Sequence, residues 1–146
     1  MEQKRVTMRI LSGLILIAFV INLTSVFALN ELERTTMNDP RLENAFGQPI
    51  IDNVNVNQQI QISADITNNQ VKSQNFIYLV QIKNEKDFVV SVGWISGQLT
   101  PDQKLSPSLS WTSKDSGEFI AEIFIWEGLV NHNALTEYSK LKINVS

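Results

Sequence analysis

Gln59-Ile60-Gln61-Ile62-Ser63-Ala64-Asp65-Ile66-Thr67 alternates without a break. Ile60, Ile62, Ala64 and Ile66 fall on one side, and Gln59, Gln61, Ser63, Asp65 and Thr67 on the other. Successive side chains of an extended chain point to opposite faces, so this period of two predicts a strand with one buried face and one wet face. A helix would scatter the same isoleucines around its circumference.

The same texture continues on both sides. Pro49-Ile50-Ile51 is a brief first run. After the turn at Asn68-Asn69-Gln70, Phe76–Lys83 is apolar on both faces, which predicts a central strand. Asn84-Glu85-Lys86-Asp87 reads as a short hairpin loop leading into Phe88–Ile95, so these two runs are predicted to pair antiparallel. Leu105–Trp111 alternates again, but Pro107 lacks an N–H and so predicts an edge strand or a bulge. Glu118–Trp126 is the strongest strand candidate, and Tyr138–Val145 closes the chain with Leu141, Ile143 and Val145 inward. Short β-rich runs at intervals of about ten residues, separated by turn residues, are the mark of a sandwich or barrel. Seven strands in about a hundred residues predict an all-β, seven-stranded antiparallel immunoglobulin-like sandwich spanning residues 48–146.

Residues 29–47 are polar, carry charges of both signs, and read as a spacer. Residues 1–28 have the three parts of an export signal. Lys4, Arg5 and Arg9 form a basic head, Ile10–Leu23 an apolar middle, and Thr24–Ala28 a small-residue exit with Val26 and Ala28 at the −3 and −1 positions. Residues 10–29 also approach the length of a membrane-spanning helix, about 20 residues. The segment is therefore read as either a cleaved signal peptide or an N-terminal signal-anchor helix. Both readings place the remainder outside the cytoplasm, secreted or held on the outer face of the membrane.

The chain of 146 residues has twelve basic and fifteen acidic residues, and no cysteine. Without Lys4, Arg5, Arg9 and Glu2, nine basic and fourteen acidic residues remain, a net charge of −5. That balance argues against nucleic acid and anionic membrane surfaces as partners. Lack of cysteine removes disulfides, thiolate metal sites and cysteine nucleophiles from consideration.

Asp115-Ser116-Gly117-Glu118-Phe119 resembles the Asp-x-Gly-x-Tyr turn that opens strand F of immunoglobulin-like domains, with Phe119 where those domains carry a corner tyrosine. A wider likeness rests on Val80–Lys83, Trp94–Leu99, Leu109–Thr112, Gly117–Phe119 and Glu122–Glu127. These segments resemble, in order and tryptophan spacing, small secreted Ig-like modules of archaeal cell-surface proteins, related to the CARDB and fibronectin type III groups. The resemblance implies an extracellular β-sandwich and brings no catalytic residue with it.

Chemistry-bearing residues are sparse. His132 is the one histidine, and no Gly-x-Ser-x-Gly elbow accompanies it, so a catalytic triad is not expected. Met37 and His132 are too few for a copper site. Asp52, Asp65, Asp102, Asp115, Glu127 and Glu137 are scattered, without a calcium-loop pattern. No catalytic residue, cofactor or metal is therefore expected. Trp94, Trp111 and Trp126 are large apolar groups, and at least two of them are expected to pack in the core or between sheets. Trp126 ends its strand beside a long loop, so Trp126, Asn131, His132 and Asn133 are the candidate binding residues. Asn144-Val145-Ser146 is a glycosylation acceptor motif.

The expected function is non-enzymatic binding or assembly at the cell surface, with a protein or a cell-surface glycan as partner. The alternative is a membrane-anchored structural accessory subunit of a membrane enzyme complex. In either case the membrane is met only through residues 10–29.

Overall fold

The computed structural model describes residues 29–146. The proposed signal or anchor at 1–28 lies outside the described residues. After a 3-10 turn at Glu31–Glu33 come eight strands: β1 Thr35–Glu43, β2 Gln59–Asn68, β3 Gln74–Asn84, β4 Val89–Leu99, β5 Lys104–Leu105, β6 Ser108–Thr112, β7 Gly117–Trp126 and β8 Ser139–Val145. They form two sheets. In the first, β2 pairs with β1 on one side and with β5 and β6 on the other; the second runs β4-β3-β7-β8. Every strand pairing within both sheets is antiparallel.

The core forms where the two inner faces meet. Ile60, Ile62, Ala64 and Ile66 of β2 are fully buried, as their alternation requires. Phe76, Tyr78, Val80 and Ile82 of β3 face them, with Phe119, Ala121, Ile123 and Ile125 of β7 and Ile143 and Val145 of β8 alongside. β3 is central, flanked by β4 and β7, and Ile77 and Leu79 on its outer side are also buried. The Asn84 side chain holds the β3–β4 hairpin, its Oδ1 accepting from the amides of Lys86 (3.0 Å) and Phe88 (3.1 Å).

The strand count is eight, not seven, for three local reasons. β1 falls inside the stretch read as a spacer. Its inward residues Met37 and Leu42 are five apart, which in a regular strand puts them on opposite faces. The register shifts between Asn38 and Arg41, with Asp39 at φ +47°. That bulge lets Met37 sit opposite Ile66 and Leu42 opposite Ile62, both inward. Pro49-Ile50-Ile51 is not a strand. It makes one bridge, Glu43 to Pro49, and leaves Ile51 exposed. The run Leu105–Trp111 breaks at Ser106-Pro107 into β5 and β6, which pair with different ends of β2. Pro107 donates nothing there, but its carbonyl accepts from the Ala64 amide at 3.4 Å.

The two outer faces differ. On the first sheet Arg41 pairs with Glu43 (2.7 Å), Asp65 (3.1 Å) and Asp39 (3.4 Å). Burial on one hand and Glu43 and Asp65 on the other act on Arg41 in opposite senses, and the hydrogen bond to Glu43 leads in raising its pKa. The outer face of the second sheet carries the large apolar groups.

Candidate functional site

β7 alternates, so burying Phe119, Ala121, Ile123 and Ile125 turns Ile120, Glu122, Phe124 and Trp126 outward. The register sets Phe124 beside Leu79 of β3, and Leu79 beside Trp94 of β4. One row therefore crosses three strands: Trp94, Leu79, Phe124. Tyr138, just before β8, continues it by stacking on Phe124, with ring centroids 5.4 Å apart and planes 13° from parallel. Trp126 lies one step along β7 from that row, 5.6 Å from Phe124. Trp94 is 51% exposed and Tyr138 49%.

The loop after Trp126 folds back on its own strand. Trp126 bridges to Ala134, the Glu127 amide donates to the Asn133 carbonyl (2.9 Å), and the Leu135 amide donates to the Ile125 carbonyl (2.9 Å). Glu127 organises the loop from within. Its Oε2 accepts from Asn131 Nδ2 (2.9 Å) and Asn133 Nδ2 (3.3 Å) and lies 3.7 Å from Arg34 Nη1. His132, between the two asparagines, meets Trp126 edge-on, 6.0 Å between centroids at 88°. The structure thus brings Trp126, Asn131, His132 and Asn133 into one loop-and-strand corner. Asn131 and His132 are exposed there, and Asn133 and Trp126 are partly buried.

Beneath the aromatic row lies a charged one. Glu122 is buried on the outer face, accepting from Lys140 Nζ (3.2 Å), Lys83 Nζ (3.3 Å) and Gln81 Nε2 (3.0 Å). Burial alone would raise its pKa. The two ammonium groups and the amide outweigh that, so the carboxyl titrates below its ordinary value. Lys140 also lies 5.4 Å from the centre of the Tyr138 ring, where a cation is attracted to the π face.

The tryptophans are distributed otherwise than expected. Only Trp111 packs between the sheets, edge-on to Phe119 at 5.0 Å. Trp94 and Trp126 are on the outer face of the second sheet. Phe124 and Tyr138, which join Trp126 to the row, were not singled out from the sequence. The usable signal was Ile120, Phe124 and Trp126 at the outward positions of β7, where a half-buried strand ordinarily carries polar residues. Among the described residues no three His, Asp or Glu side chains are grouped to hold a metal ion. Asn144, the glycosylation candidate, is exposed on β8.

The fold is an immunoglobulin-like β-sandwich. It is similar to the C-terminal domain of Wzt, with a TM-score of 0.60 at 12% identity over 77% of this chain and 74% of that one. It is also similar to the CARDB domain of a Pyrococcus furiosus protein crystallised with di-metal ions, with a TM-score of 0.52 at 15% identity over 81% of this chain and 97% of that one. A β-glucosidase from Erythrobacter marinus contains a similar unit (TM-score 0.55, 10% identity, 77% of this chain), but the match spans only 15% of that enzyme. No protein-family profile matches the sandwich's sequence, and no curated protein does.

Proposed function

We propose that this chain is a non-enzymatic binding module that works outside the cytoplasm and engages a protein or a cell-surface glycan. The contact surface is the outer face of the second sheet with the adjoining 127–137 loop. One observation carries this reading: Trp126, Phe124 and Tyr138 form a continuous aromatic path on a solvent-facing sheet, with His132, Asn131 and Asn133 at its rim. Aromatic rings flanked by amide groups suit ligands that have both apolar and hydroxyl or amide surfaces. The small unit similar to this chain inside a far longer glycosidase is compatible with a sandwich serving as an attached module. A membrane-anchored accessory subunit would use the same surface against its complex.

The test is binding of the full chain to envelope glycans and, separately, to detergent-solubilised envelope proteins, compared with Trp126→Ala and Tyr138→Ala. Both substitutions are expected to weaken the interaction at least tenfold, while Ser110→Ala on the other sheet leaves it unchanged. Equal binding by all four proteins would sink the assignment to this face.

A further inference from the structure

A sandwich has four sheet edges, each a row of unpaired backbone groups that can template another strand. Three of the four are obstructed here. β1 is bulged at Asn38–Arg41 and contains Pro40. β5 and β6 are separated at Ser106-Pro107, and β5 opens with Lys104. On β8, Val54 covers one end, its amide donating to the Asn144 carbonyl and its carbonyl accepting from the Ser146 amide, both at 2.9 Å. The rest of β8 carries Lys140 and Lys142.

Along Ser91–Leu99, β4 has none of these devices. Val89–Leu99 contains no charge and no proline. It pairs with β3 alone. Its single irregularity is a register shift next to the hairpin, after which Ser91 to Leu99 pair regularly with Ile82 to Gln74. Those nine residues are about 30 Å of strand at roughly 3.3 Å per residue. Among the described residues, no backbone group of Ser91–Gln98 bonds to anything outside the β3 pairing. Val92 (48% exposed) and Trp94 (51%) stand on the outer face along this edge, and Phe88, Val89 and Val90 are exposed at its start.

We infer that the free edge of β4 pairs antiparallel with β4 of a second copy of this chain, joining two four-stranded sheets into one of eight. The occupant is a second copy because the edge is self-complementary. An uncharged strand repels no copy of itself, and a two-fold axis needs only one surface. The alternation fixes which registers are allowed. Residues directly opposite share a face, so outward Val92 and Trp94 must oppose outward residues. With Gly93 on the axis, Val92 of each copy lies opposite Trp94 of the other, making two aromatic–β-branched pairs. Setting Trp94 against Trp94 would instead leave each Val92 opposite Ser96. The inference does not depend on the binding role of the Trp126 corner.

The full chain in a mild detergent, followed by sedimentation across 1–100 µM concentrations (on the order of ordinary transient association), is expected to show a monomer–dimer equilibrium. Val92→Lys places two like charges on adjacent strands and is expected to raise the dissociation constant at least tenfold. Circular dichroism checks that this variant folds. Because the chain has no cysteine, Val92→Cys gives an independent readout. A short bis-maleimide is expected to link the two copies, whose residues at 92 are diagonal neighbours roughly 7–8 Å apart, whereas Lys142→Cys on β8 is expected not to be linked. A monomer at every concentration overturns the inference. So does a dimer that survives Val92→Lys and links through Lys142→Cys but not through Val92→Cys.

Discussion

The hydroxyl of Tyr78 on β3 donates a 3.0 Å hydrogen bond to the carbonyl of Ile62 on β2, crossing from one sheet to the other. Both residues are fully buried. A polar bond in the middle of an apolar interface fixes how the layers slide over each other, because a shift that costs little in dispersion would orphan both partners. Tyr78→Phe is expected to lower the unfolding free energy by about 1–2 kcal/mol, read by urea denaturation. Burial raises the Tyr78 pKa above the ordinary phenol value. A pKa raised by folding stabilises fully below the unfolded value and is lost as pH rises above it. The wild-type protein is therefore expected to lose stability above about pH 10. Tyr78→Phe removes that residue's share of the alkaline slope, so an unchanged slope would contradict the assignment.

Asn68 ties the end of β4 to two neighbouring loops. Its buried amide donates to Lys72 O (2.9 Å), Thr100 O (3.0 Å) and Leu99 O (3.2 Å), and its Oδ1 accepts from the Gln70 amide (3.1 Å). Asn68→Asp turns the donor into a carboxylate aimed at carbonyl oxygens, and a loss of roughly 2–3 kcal/mol is expected at neutral pH. On acidification the variant's deficit relative to wild type should narrow, because a protonated carboxyl recovers one donor. A deficit that stays constant between pH 7 and pH 4 would rule out this account.

Two glycines on β4 make a paired experiment. A Cβ at Gly97 would lie 3.0 Å from Cε1 and 3.2 Å from Cζ of Phe76, whereas one at Gly93 would rest against Leu109 at 3.7 Å, an ordinary contact. Gly97→Ala must displace a core ring, at a cost of about 1–3 kcal/mol. Gly93→Ala is expected to be neutral or to stabilise by up to about 1 kcal/mol through the unfolded state. Thermal melting of both proteins decides it: similar changes in Tm would count against the crowding at Phe76.

Glu122 predicts an acid response. Its pKa is lowered in the folded protein from an ordinary value of 4.5. A carboxyl depressed by folding contributes stability above its unfolded pKa, and that contribution disappears as pH falls through the folded value. Glu122→Gln is expected to destabilise by about 1 kcal/mol at pH 7, a modest figure because Lys140 is half exposed and screened. The difference between variant and wild type should shrink as pH falls below 4.5 and through the lowered folded value of the carboxyl. Denaturant titrations across an acid pH series measure it directly.

The strands of strict period were legible because each has one clearly buried face, as in Gln59–Thr67, or two, as in Phe76–Lys83. β1 was not. Its polar composition and the five-residue spacing of Met37 and Leu42 only make sense with a bulge, and a bulge leaves no local pattern beyond Asp39-Pro40. Pro107 announced an irregularity but not that it divides one run into two strands. The Trp126 corner was readable in part, since its loop residues are adjacent in sequence. Phe124 shares the outward face of β7 with Trp126 two residues on, whereas Tyr138 joins through a β7–β8 register that depends on the whole sheet. The exposure of Trp94, against the expectation that at least two of the three tryptophans pack inside, was not legible either. Both faces of β4 mix apolar and small or polar residues, and the small inward Gly93 and Gly97 sit against Leu109 and Phe76 while Trp94 takes the outward position between them.

The Arg34–Glu127 ion pair fixes where the chain enters the sandwich. The Thr35 amide also donates to the Leu135 carbonyl at 3.0 Å, so the N-terminal approach runs beside the Trp126 corner. The Asn84–Phe88 hairpin caps the opposite end of the second sheet. A tether leading back from Glu31 would therefore hold the aromatic corner at the proximal pole and send the hairpin outward. In an anchored protein the reach of the corner would then be set by the few residues between Leu29 and Thr35, and its partners would be neighbours lying close to the bilayer. A released protein carries no such polarity. Lengthening the 29–34 segment would thus change which partners the anchored form meets without altering a single contact inside the sandwich.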